Sequence, residues 1–170
     1  VNNVTKNIYP KYYLPKHFLK IGRKKIERLI NKLDIFRVKA KSIYYLSKTL
    51  VEKYKSKVPK TYEELESLPG VGHKTASVVM SQAFGYPAFP VDTHIHRLAQ
   101  RWGLTNGKNV VQTEKDLKRI FPKKHWNKLH LQIIWYGREY CKARDCYGTT
   151  CKICKRCYPS RKKPIITKRA

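Results

Sequence analysis

Three groups of side chains stand out as potentially reactive: Lys74, Asp92, and five cysteines confined to residues 141–157. Lys74 follows the run Leu68-Pro-Gly-Val-Gly-His73. Gly70 and Gly72 let the backbone turn tightly and come close to a partner, and the free N–H groups at the start of the helix that follows make an anion site that fits a DNA phosphate, with Gly70, Val71, Gly72, His73 and Thr75 as candidate DNA-contacting residues. In the first turn of the helix that follows, the positive end of the helix dipole disfavours an ammonium group, which leaves Lys74 suited to nucleophilic attack. Its alternative role is that of a surface cation beside a phosphate.

Asp92 is the only acidic residue between Glu66 and Glu114, and it directly precedes an apolar helical pattern of Ile95, Leu98, Ala99 and Trp102. Aspartate is a favoured N-cap, and a capping carboxylate can also serve catalysis. His94 and His96 lie close by at a spacing that points them to different sides of the helix start, so His94 is kept as a pocket residue only. The cysteines run Cys141-x4-Cys146-x4-Cys151-x2-Cys154-x2-Cys157, with none in the first 140 residues. Such clustering argues for metal over disulfides. Three cysteines at two-residue intervals with a remote fourth can wrap an iron–sulfur cube, four thiolates can bind zinc, and unliganded thiols are the remaining reading.

The elements that must carry these groups are helices. Thr61 and Glu64 form a capping box for a short helix through Leu68, and Pro69-Gly70 stops it. Ala76, Val79, Met80 and Ala83 repeat at helical spacing directly afterwards, so residues 61–84 read as a helix-hairpin-helix. Upstream, residues 1–16 read as the tail of a helix and a loop. Ile26, Leu29, Ile30 and Leu33 then predict one helix and Ile43, Leu46, Leu50 and Tyr54 another, joined through Asp34-Ile-Phe-Arg-Val38. Downstream, Asn109 caps a helix with Val110, Leu117 and Ile120, and a further helix carries Trp126, Leu129, Ile133, Tyr136 and Tyr140. Strand alternation is absent, and the fold class is all-α. The organisation read from the sequence is a helical domain over 17–122 containing the hairpin and the Asp92 segment (91–102), a helix and cysteine loop over 123–158, and a basic, disordered tail over 159–170.

With 38 basic and 11 acidic residues the formal charge is +27, which fits a polyanionic partner, nucleic acid first. No apolar run is long enough for a transmembrane helix.

The ordered set Leu68–Ala76, Ala83-Phe-Gly85, Val91-Asp-Thr-His94 with Arg97, Gly107-Lys-Asn-Val110 and Gly137-Arg-x-x-Cys141 resembles endonuclease III, the bifunctional DNA glycosylase and abasic-site lyase of the helix-hairpin-helix superfamily. The resemblance runs from about Val1 to Cys157. It implies a barrel-like helical domain plus a cysteine-rich loop, with Lys74 attacking the sugar and Asp92 assisting. It also implies that Ile35 enters the duplex, ordinary helix-to-helix packing being its alternative role, and that His73 stands where the family has arginine. Arg97 and Lys108 read as backbone-phosphate or structural residues. The family's cysteine spacing differs from this one. Cys141 follows the matching Gly-Arg-x-x motif and Cys151-x2-Cys154 matches the central pair, while the first gap is longer and the last shorter. Cys141, Cys151, Cys154 and Cys157 are expected to bind a [4Fe-4S] cluster, with Cys146 as a substitute and zinc as the alternative. Lys74 points to the lyase branch, hence to oxidised pyrimidines or abasic sites in double-stranded DNA as substrates. A monomer, intracellular and DNA-associated, is expected, and Val1 reads as the start of a fragment. A rival reading is a non-catalytic DNA-binding module in which the hairpin only grips phosphate and the cysteines hold structural zinc.

Overall fold

A computed structural model describes residues 2–170. Its helices are α1 (Asn2–Thr5), α2 (Pro15–Leu29), α3 (Phe36–Tyr54), α4 (Tyr62–Glu66), α5 (His73–Ala83), α6 (Thr93–Arg101), α7 (Val110–Ile120), α8 (Trp126–Glu139) and α9 (Lys152–Cys157), with a 3-10 turn at Lys123–His125. No strand occurs among the described residues, as the all-α reading expects. The chain divides into two compact units, residues 1–76 and 77–170.

In the first unit α2 packs along α3. Ile8, Ile26, Ile30 and Ala40 form the centre, and Ala40 is small enough to sit fully buried where the helices approach. The sequence pattern placed the helix around Ile26–Leu33, whereas α2 starts at Pro15 and gives way at Ile30. Proline at the first helical position needs no N–H partner, which explains the early start. Gly22 breaks the regularity with φ 74° and ψ 163°, so α2 is two helical pieces across a kink. Ile35 precedes α3 in the left-handed conformation (φ 50°, ψ 35°) with 69% of its surface exposed. A β-branched residue there is strained by about 1–2 kcal/mol.

The hairpin closes the first unit. The Thr61 hydroxyl accepts from the Glu64 N–H at 3.2 Å and donates to the Glu64 carboxylate at 2.8 Å, fixing the start of α4. Gly70 takes φ 80°, and a β-carbon on it would stand 2.7 Å from Ser42 Cβ of α3. Glycine is needed at this position both for the turn and for the close approach.

The second unit centres on Phe89, Ile95, Leu98, Leu117 and Ile133, with Trp102 and Tyr136 packed against them and meeting each other edge to face. α6 lies against α8 and α7. Asn109 caps α7 by accepting from the Gln112 N–H at 2.8 Å, as its position predicts. Residues 159–170, expected to be disordered, run back over this unit instead. The Gln100 side chain bonds both the N–H (2.8 Å) and the C=O (3.1 Å) of Lys168, and the Ile165 N–H reaches Tyr147 O. No described helix is long and apolar enough to cross a membrane.

Candidate functional site

Lys74 is the second residue of α5 and is exposed, as are Gly70, Gly72, His73 and Thr75, while Val71 is half-buried. The Val71 N–H bonds Leu68 O and the Ala76 N–H bonds Gly72 O, which sets the tight passage from α4 to α5. The N–H groups of a helix's first turn have no acceptor within the helix, so this edge of the hairpin offers donors together with the positive dipole end. His73 is tied sideways: its Nδ1 lies 2.7 Å from a Glu66 carboxylate oxygen, and its ring stacks on Tyr62. It fastens α5 to α4.

In the second unit Asp92 is half-buried at the N-cap of α6, its Oδ1 accepting from the Ile95 N–H at 2.9 Å. The other oxygen takes no part in that bond. His94, two residues on, is half-buried. Burial lowers its pKa, Arg97 and Arg138 lower it further, and the Asp92 charge opposes them, so the imidazole is held towards neutrality. Fully buried His96 faces elsewhere, its Nδ1 2.8 Å from the Thr113 hydroxyl. Arg97 donates to Gly137 O at 3.1 Å and Cys141 O at 3.0 Å, joining α6 to the end of α8. These bonds give Arg97 a structural role. Lys108 is exposed in the turn before α7.

The cysteines converge. The Sγ atoms of Cys141, Cys146, Cys151 and Cys154 all lie within 4.8 Å of one another, and all four residues are buried. Cys157, expected among the ligands, ends α9 in an exposed position, while Cys146, expected only as a substitute, completes the group. The reason is local. Cys151 caps α9 and Cys154 falls in its first turn, so three more residues carry Cys157 a helical turn farther along, away from them.

Burial pushes the Cys141 thiol up to about 11 and raises Cys154 further. At Cys146 burial also acts upward, but hydrogen bonds from Cys151 and Thr150 outweigh it and bring the thiol down to about 5. Thiolates packed this closely repel one another, and a cation among them removes that penalty.

Arg101 escaped the sequence reading. It is only 2% exposed and donates to Cys141 Sγ (3.3 Å), Lys142 O (2.8 Å) and Ala143 O (2.9 Å). An arginine falling three residues after Leu98, on the apolar side of α6, was the available signal. Tyr136, part of the helical pattern of α8, also accepts the Ile153 N–H on its hydroxyl at 3.2 Å and so steadies the start of α9.

Comparison with known proteins gives one consistent picture. Residues 1–123 match the HhH-GPD superfamily of base excision DNA repair proteins. Endonuclease III of Bacillus subtilis (strain 168) is 40% identical over 164 residues, covering 96% of this chain and 75% of that protein. A solved structure of a non-covalent endonuclease III–DNA complex superposes with a TM-score of 0.84 at 39% identity, covering 89% of this chain and 72% of the other. A trapped endonuclease III–DNA covalent intermediate gives 0.83 at 38% identity, covering 91% and 76%.

Proposed function

The chain belongs to the endonuclease III family of HhH-GPD base excision DNA repair proteins, and from that premise we propose that it is a bifunctional glycosylase and abasic-site lyase acting on oxidised pyrimidines in duplex DNA. The observation that carries this reading is Lys74, exposed on the first turn of α5 directly after the hairpin glycines. The relatives of known structure engage DNA, one of them covalently. That is the behaviour expected of an enzyme with an amine nucleophile.

In the proposed mechanism the hairpin N–H groups and surface lysines hold the phosphate backbone, and the damaged nucleotide leaves the stack. Ile35 fills the gap left behind. Its exposure and strained backbone, which the packing of the unit does not require of an isoleucine, support that role. The neutral Lys74 amine attacks C1′, and the bond from C1′ to the base breaks with its electron pair leaving on the base. Asp92 accepts the proton released from the lysine nitrogen or stabilises positive charge developing on the sugar. Its place as a cap fixes one oxygen on the Ile95 N–H and leaves the other available.

Opening of the sugar ring gives a Schiff base between Lys74 and C1′. Loss of a C2′ proton then expels the 3′ phosphate with the C3′–O electrons, cutting the strand by β-elimination, and water releases the lysine. The protein acts as a monomer. The cysteine centre takes no part in these steps, and a metal held by its thiols would serve the loop of residues 141–157 as a structural element.

Borohydride reduces a Schiff base to a stable amine and so tests the proposal directly. An abasic-site duplex should give a covalent adduct with the wild-type chain and none with Lys74→Ala. An adduct that survives the substitution would mean that another amine is the nucleophile.

A further inference from the structure

The four buried cysteines define a size as well as a composition. For four sulfurs placed tetrahedrally around one zinc ion at about 2.3 Å, the sulfur–sulfur edges are about 3.8 Å. Cys141 Sγ and Cys154 Sγ stand 3.8 Å apart, and no edge of the set exceeds 4.8 Å. In a [4Fe-4S] cluster each thiolate binds its own iron at a corner of the cube, so each edge is longer than in the one-ion case by one iron–iron separation. The longest edge present leaves only about 1 Å for that separation, less than any contact between two metal atoms. The residues as arranged do not fit a cube.

We propose that Cys141, Cys146, Cys151 and Cys154 form a mononuclear tetrathiolate site for zinc. The surroundings are those of such a site. The Cys151 N–H points to Cys146 Sγ at 3.4 Å and the Cys154 N–H to Cys151 Sγ at 3.5 Å, while Arg101 donates to Cys141 Sγ at 3.3 Å. These donors each stabilise a thiolate and fix its orientation. Four thiolates and one dication carry a net charge of −2, which the Arg101 guanidinium and the basic loop partly offset. Loading releases the thiol protons to solvent and involves no oxidation or reduction. Cys157, exposed at the end of α9, takes no part.

The test is the metal content of the full chain purified from cells grown with iron in excess. The readout is independent of glycosylase activity, so the failure of one reading leaves the other standing. One zinc per chain, no acid-labile sulfide and no visible absorption are expected, with four sulfurs at about 2.3 Å by X-ray absorption at the zinc edge. Cobalt(II) should replace zinc at one equivalent with a tetrahedral thiolate spectrum. Cys157→Ser should keep the metal and Cys146→Ser should lose it. If Cys146→Ser fails to fold, the sulfur count at the zinc edge and the Cys157→Ser result still decide the matter. Four irons with labile sulfide, a folded chain without metal, or loss of metal on Cys157→Ser would each overturn the proposal.

Discussion

Asp92 combines two duties that a pair of substitutions can separate. As the N-cap of α6 its carboxylate accepts the Ile95 N–H at 2.9 Å. Replacement by Ala removes that acceptor, at a cost of about 1 kcal/mol. It also removes an anion from the positive end of the helix, a further cost of about 0.3–1 kcal/mol. Asp92→Asn keeps a capping oxygen and loses only the second contribution. Urea unfolding should therefore rank wild type above Asn above Ala, the Ala variant falling by about 1–2 kcal/mol and the Asn variant by about half of that, with unchanged slopes.

The chemistry should rank differently, because neither Asn nor Ala can accept a proton from Lys74. Both variants should lose about 10²–10⁴-fold in the rate of borohydride trapping. Titration of His94 by NMR gives an independent reading: the Asp92 charge opposes the downward shift of that imidazole, so its pKa should fall further in both variants. An Asn variant that traps at the wild-type rate would make Asp92 a cap and nothing more. An Asn variant as unstable as Ala would refute the capping account.

Other perturbations follow from the same geometry. Gly70→Ala places a β-carbon 2.7 Å from Ser42 Cβ in a left-handed turn, and should destabilise the first unit by more than about 1 kcal/mol while weakening DNA binding in a gel-shift assay. Ile35→Asn exchanges a strained residue for one that tolerates φ 50°, so unfolding should show equal or slightly greater stability while base excision slows. Burial lowers the pKa of both His94 and His96 from 6.5, so the unfolded chain binds more protons than the folded one below that value. Their contribution is complete above about pH 6.5 and is lost as pH falls through the folded values, and urea midpoints should drop on acidification, less steeply for His94→Gln.

The parts of this molecule that could be read from sequence are those fixed by neighbours along the chain. The capping box at Thr61 and Glu64, the glycine turn before Lys74, and the caps at Asp92 and Asn109 are made by residues within four positions of one another. Features set by distant partners were hidden. The path from Cys141 to Cys146 is held by Arg101, some forty residues earlier, so cysteine spacing alone favoured Cys157 over Cys146. The tail was read as disordered because its composition is basic, yet Lys168 is held by Gln100, 68 residues before it. The kink at Gly22 likewise is not encoded in the helical periodicity of α2.

Arg101 also bears on the order of events as the cysteine loop matures. Its guanidinium hydrogen-bonds the carbonyls of Lys142 and Ala143 while Arg97 holds that of Cys141, and Arg161 in turn donates to the Arg101 carbonyl at 2.7 Å. These bonds are made by protein groups and fix the loop without help from the thiols. Where folding of the second unit meets the ordering entropy that a metal ion supplies in small zinc folds, metal uptake should be a simple bimolecular encounter whose rate rises in proportion to metal concentration. An Arg101→Met chain, lacking those anchors, has to order its loop on the ion and should load slowly, with a rate that levels off as metal is increased.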